Sequence, residues 1–124
     1  MKNFIKMVCV LLMFSLCCVT GGATNTKPID KNDNLCIYVM HSPNKKFCEY
    51  KKTVIHDLAK YYKVVVISNG ELNDTCDEVE QIIVRPNTGY DFGAWKEYIL
   101  NNYDYVKQFD NVLLANDSFL ECRL

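Results

Sequence analysis

Four short runs constrain the fold of this chain more than anything else in it. They are LCIYVMH (Leu35–His41), KVVVIS (Lys63–Ser68), QIIVR (Gln81–Arg85) and NVLLA (Asn111–Ala115). Each is apolar almost throughout, Lys63–Ser68 is rich in β-branched residues, and none alternates polar with apolar. A strand of that kind has to be covered on both faces, as in a parallel sheet packed between helices. The segments between the runs supply the cover. Phe47, Tyr50, Val54, Leu58 and Tyr61 recur at three and four residues, which predicts a helix to about Tyr62, with Ser42 as its N-cap and Pro43 in its first turn. A second helix is predicted from Asp91, as cap, along Phe92, Trp95, Ile99, Tyr103 and Val106. The order strand, helix, strand, strand, helix, strand reads as α/β: a doubly wound, mostly parallel sheet with helices on both faces.

Ahead of this pattern lies a different kind of sequence. Lys2 and Lys6 precede an uncharged run, Met7–Val19, and small residues at Gly21 and Ala23 follow. Basic, apolar and small in that order is the layout of a secretory signal. The run is short against the roughly 20 residues of a membrane-spanning helix, but the polar, uncharged tail to Thr26 lengthens it. Residues 1–23 are therefore expected to be a signal peptide or a signal-anchor, with possible anchoring through residues 7–26. Residues 24–34, polar and carrying Pro28, read as a linker, and 35–124 as the folded domain. The lysines would stay cytoplasmic and the rest would cross, which implies the secretory pathway, secreted or anchored. Net charge is −1, so no basic surface points to nucleic acid.

Chemistry is expected at one edge of the sheet. Open α/β sheets bind ligands beyond the carboxyl ends of their strands, and His41, Asn69, Asn87 and Asp117 all fall just after a run. The turn RPNTGYDFGAWKEYI (Arg85–Ile99) is the densest cluster. Gly89 and Gly93 allow a tight path and close approach to the backbone. A helix start offers free amides and a positive dipole end to a phosphate. Arg85 is suited to a phosphate or to holding a carboxylate, and Tyr90 or Phe92 to stacking on a flat ring. Asp117, in the turn Asn116–Ser118, is placed to reach a divalent metal such as Mn or Mg; the alternative is a solvated turn. His56 is expected on the surface. The triplet Asp91–Gly93 reads DFG, but nothing else in the chain suits a kinase, and there is no P-loop or G-x-G-x-x-G.

These residues resemble the rhamnan synthesis protein F family, glycosyltransferase-related proteins of polysaccharide assembly. The likeness lies in the strand ending at His41, in VVVISNGEL (Val64–Leu72), in RPNTGYDFGAWKEYI and in VLLANDSF (Val112–Phe119). The resemblance implies a glycosyltransferase A-type fold, a nucleotide-sugar donor and a glycan acceptor. By position, Arg85, Asn87, Gly89 and Asp91 would line the donor site, with Gly93, Asn116 and His41 beside them and Asp117 as metal ligand. The family continues beyond N-D-S into an acceptor-binding half. This sequence stops at Leu124, so it is expected to hold the donor half only, a truncated glycosyltransferase whose activity alone is uncertain. The alternatives are a non-catalytic nucleotide- or glycan-binding domain, and a small secreted interaction protein built on its cysteines. Outside the leader these are Cys36, Cys48, Cys76 and Cys122, whose pairing the sequence leaves open; Cys36 and Cys48 are expected as buried thiols. Asn73-Asp74-Thr75 and Asn116-Asp117-Ser118 both fit the N-glycosylation pattern.

Overall fold

The computed structural model describes the backbone of Lys6–Cys9 and the whole of residues 30–117. Its strands are β1 (Lys6–Cys9), β2 (Asn34–Met40), β3 (Lys63–Asn69), β4 (Gln81–Arg85) and β5 (Asn111–Asn116). Among the described residues they form one sheet in the order β1-β5-β2-β3-β4, and every pairing is parallel. The four runs picked out above are β2 to β5, each within one residue of its expected bounds. β1 comes from inside the expected leader and lies beside β5. The rest of the expected leader, and most of the expected linker, fall outside the described residues.

Two helical layers cover the sheet, and side-chain alternation along the strands sorts them. Leu35, Ile37 and Val39 of β2, Val65 and Ile67 of β3 and Val112 of β5 face helix α2 (Tyr90–Asn101), meeting its Ala94 and Tyr98. The intervening Cys36, Tyr38, Met40, Val64, Val66, Leu113 and Ala115 face helix α1 (Glu49–Ala59), meeting Ile55 and, from the loop before it, Phe47. Every residue of β2 is buried, as a central strand requires, and each large apolar side chain so placed is worth about 1.5–3 kcal/mol. Doubly wound packing of an all-parallel sheet is therefore the fold. No helix of the described residues is long and apolar enough to cross a membrane.

The helix boundaries differ from the expectation. α1 begins at Glu49, not beside Ser42. The Ser42 hydroxyl is taken up within its own loop by Asn44 and the Lys46 carbonyl, and Lys45 has a positive φ of 62°, which a helix cannot continue through. The buried face of α1 is also rotated. Lys51 and Ile55 are its buried residues, while Tyr50 and Tyr61 are exposed. The second expected helix is broken. α2 stops at Asn101, Asn102 turns out of helical geometry with its side-chain amide on the Tyr98 carbonyl, and a short α3 (Tyr103–Val106) follows. Phe92 and Tyr103, expected in the apolar stripe, are exposed.

Candidate functional site

β2 and β5 lie side by side, yet the chain leaves β2 through α1 on one face and enters β5 from α2 on the other. The carboxyl ends of two such strands border a crevice, the place where this fold class takes its ligands. His41 follows β2 and Asp117 follows β5; Asn69 and Arg85 end β3 and β4. The expected edge is therefore real, and its side chains divide between the two faces.

On the α2 side, Arg85 is buried and fully engaged. Its Nη1 donates to Asn69 Oδ1 at 2.6 Å, and its Nε and Nη2 donate to Glu97 Oε2 at 3.2 and 2.9 Å. Of the two uses expected for Arg85, the guanidinium serves the second: it holds a carboxylate, tying β3, β4 and α2 together. Asp91 does not cap α2. The N-cap is Gly89, in the left-handed region at φ +72°, and no side chain caps the helix. The Asp91 carboxylate instead reaches across to β5, where Asn116 Nδ2 donates to Oδ2 at 2.6 Å. This bond brings the glycine-bearing turn to the switch point. Gly93 packs closely: a Cβ there would stand 3.0 Å from the Thr88 carbonyl oxygen. Tyr90 is strained, with φ +53° directly after Gly89. It is 80% exposed and Phe92 is 81% exposed, so two aromatic rings stand in solvent at the start of α2, with Phe92 edge-on to Trp95. Asn87 is exposed beside them. Strain in a non-glycine residue persists only where the surroundings impose it, and it gathers at binding sites.

On the α1 side, Asp117 is buried rather than solvated. Its Oδ2 lies 3.0 Å from Lys51 Nζ and accepts the His41 backbone N–H at 3.0 Å. Lys51 Nζ also donates to the His41 carbonyl at 2.6 Å, and the Asp117 N–H donates to the Val39 carbonyl. The cation at Asp117 is thus a lysine. A divalent ion on the same oxygen would sit against the ammonium, and the described residues hold no group of three or more His, Cys, Asp or Glu side chains placed to bind a metal. The described surroundings of Asp117 do not fit a resident metal. Nearby, the Tyr38 hydroxyl is buried and has no hydrogen-bond partner among the described residues. Burial first, and the Asp117 charge second, push its ionisation well above the ordinary tyrosine range.

His41 joins the two sides. Its ring Nδ1 is 2.6 Å from the Asn69 carbonyl, whose side chain holds Arg85. Gly70, at φ +128°, runs alongside the ring, and a Cβ there would stand 3.5 Å from Nδ1. Lys51 and Glu97 were not singled out from the sequence. Lys51 had a signal: it falls four residues from Phe47 and four from Ile55, a lone cation on an apolar face. Glu97, on the open side of α2, had none.

Features away from the edge resolve more simply. His56 is on the surface as expected, its Nδ1 2.8 Å from Glu78. It borders a cavity of about 520 Å3 with Lys31, Lys60 and Glu80; that cavity lies at the amino ends of the strands and includes no candidate residue. Cys36 is a buried thiol, and burial pushes its pKa up. Cys48 is not: it is exposed, at the N-cap of α1. Asn73 of the first glycosylation pattern is exposed, whereas the amide of Asn116 in the second is committed to Asp91.

No curated protein and no solved structure matches the chain significantly. A family model does match, over residues 64–122, from the start of β3 through the end of β5. It covers the Arg85 clamp, the Gly89–Gly93 turn and the Asn116–Asp117 strand end. The matching model is that of rhamnan synthesis protein F, the family the residues themselves resemble, and over residues 64–122 the chain is similar to it.

Proposed function

We propose that this domain binds a nucleotide-sugar donor for polysaccharide synthesis in the crevice between β2 and β5. The observation that carries the reading is the Asp91–Asn116 hydrogen bond, which brings the start of α2 to the end of β5. The amides at the start of α2 and the exposed Asn87 are the donors offered to a diphosphate. Tyr90 and Phe92 stand where a base or sugar ring could stack. Arg85 supports the turn from below and makes no donor contact of its own. The proposed leader would carry the domain into the secretory pathway, where a glycan acceptor is met.

Calorimetric titration with UDP-, GDP- and dTDP-sugars tests the reading. One of them should bind, and Asn116→Ala, which releases Asp91, should weaken binding about tenfold, the equivalent of one hydrogen bond to a charged group. If none of the three binds to the intact chain, donor recognition is ruled out. A donor that binds without ever being consumed would instead favour a non-catalytic binding domain.

A further inference from the structure

The side chain of His41 is held in a way that the donor reading does not use. Its main-chain N–H donates to Asp117 Oδ2 at 3.0 Å and its carbonyl accepts from Lys51 Nζ at 2.6 Å. Its ring Nδ1 lies 2.6 Å from the Asn69 carbonyl oxygen. A carbonyl only accepts, so Nδ1 carries the proton. In the neutral ring Nε2 then bears a lone pair. Among the described residues Nε2 has no hydrogen-bond partner, while every other polar atom of His41 has one. The residue is exposed. The fold thus fixes the tautomer, pins the backbone on both sides and leaves one basic nitrogen open at the carboxyl end of β2. Hydrogen bonding of one ring nitrogen to a backbone carbonyl sets the other as acceptor in just this manner.

The geometry points to His41 Nε2 as the general base for an attacking hydroxyl. This deepens the donor reading and rests on it. In the step, the hydroxyl O–H bond breaks and its proton passes to Nε2. The oxygen forms a bond to the anomeric carbon of the donor sugar. The bond from that carbon to the diphosphate oxygen breaks, and its electron pair leaves with the nucleoside diphosphate. The Asn69 carbonyl stabilises the imidazolium that forms, because Nδ1–H already points at it. Lys51 and Asp117 act through the His41 backbone and are positioning residues.

Two measurements decide it. Long-range proton–nitrogen correlation spectra of histidine-labelled protein should show His41 protonated at Nδ1 and bare at Nε2 in its neutral form; the opposite tautomer would overturn the assignment. In the second, hydrolysis of the bound sugar nucleotide, or its transfer to an oligosaccharide, is followed in His41→Gln and His41→Ala. Turnover should fall at least 100-fold, as loss of a general base does, with KM changed less than threefold, and added imidazole should restore part of the activity of His41→Ala. Unchanged turnover in His41→Gln, or donor binding with no turnover by the unaltered chain, would overturn the base while leaving the donor site standing. A chain that binds no donor would remove the donor reading itself, and the base with it.

Discussion

The Lys51 ammonium stands 3.0 Å from Oδ2 of Asp117, and both side chains are more than nine-tenths buried. A pair removed from water in this way is weak evidence of net stability but costs a great deal to break from one side. Lys51→Met should lower unfolding free energy by about 3–5 kcal/mol in urea titration. The double change Lys51→Met, Asp117→Asn should recover most of that loss. The asparagine carbonyl can still accept the His41 N–H, and no lone charge remains. A double variant as unstable as the single one would show that the pair is not the source of the effect.

Metal should be irrelevant to the folded domain. EDTA is expected to leave the melting temperature unchanged within a degree, and Mn2+ should not raise it. Lys51→Ala exposes the Asp117 carboxylate, and only there should a weak Mn2+-dependent rise be seen. Stabilisation of the unaltered chain by Mn2+ would restore the metal role that the sequence suggested.

Arg85 draws unequal support from its two partners. Asn69 is buried, whereas the Glu97 side chain is half exposed. Glu97→Ala should therefore cost less than about 1 kcal/mol. Asn69→Ala, which leaves a buried guanidinium short of an acceptor, should cost about 1.5–3 kcal/mol. Arg85→Lys should match the larger figure, since one ammonium cannot span both partners. Chemical denaturation of the three variants reads the order directly.

Tyr90 adopts a left-handed backbone that a side chain disfavours by about 1–2 kcal/mol, and its ring is too exposed to offset that by packing. Tyr90→Gly should raise stability by about 0.5–1 kcal/mol and weaken the donor. A gain in melting temperature with undiminished binding would mean that the strain serves no ligand.

Alkali should unfold the domain earlier than its composition suggests. Burial raises the folded-state pKa of Cys36 and of Tyr38, and that of Tyr98 to about 12. Each raised group keeps its full contribution below its ordinary value, 9.0 for the thiol and 10.0 for the phenols. The contribution drains away as pH rises from there, because the unfolded chain ionises first. Stability should decline from about pH 9 upward, and Cys36→Ala should delay the onset toward pH 10. An onset unchanged by that substitution would clear the thiol.

Much of the fold is legible because its strands are extreme. A run such as Val64–Ile67 has no exposed solution, so its place in a covered sheet follows directly. Helix boundaries were less legible. Ser42 looks like a cap, but its hydroxyl finds a partner inside the loop, and Asp91 looks like a cap but bonds to a residue 25 positions away. The candidate edge could be listed from strand ends alone. The partners across it could not: nothing local to Asp117 announces Lys51, and nothing near Arg85 announces that its charge is already spoken for by Glu97. Long-range polar pairs are fixed by the packed layers, and a linear pattern carries no trace of them until those layers exist.

Asn116 and Asp117 are neighbours in sequence, yet one holds α2 through Asp91 and the other holds α1 through Lys51. Because consecutive strand residues point to opposite sides, a one-residue insertion or deletion in β5 would exchange their duties. Carboxylate would then confront carboxylate at Asp91, and Lys51 would be left with an amide. The length of this strand is thereby proofread by charge, at its carboxyl end, where a polar pair fastens each helical layer to it.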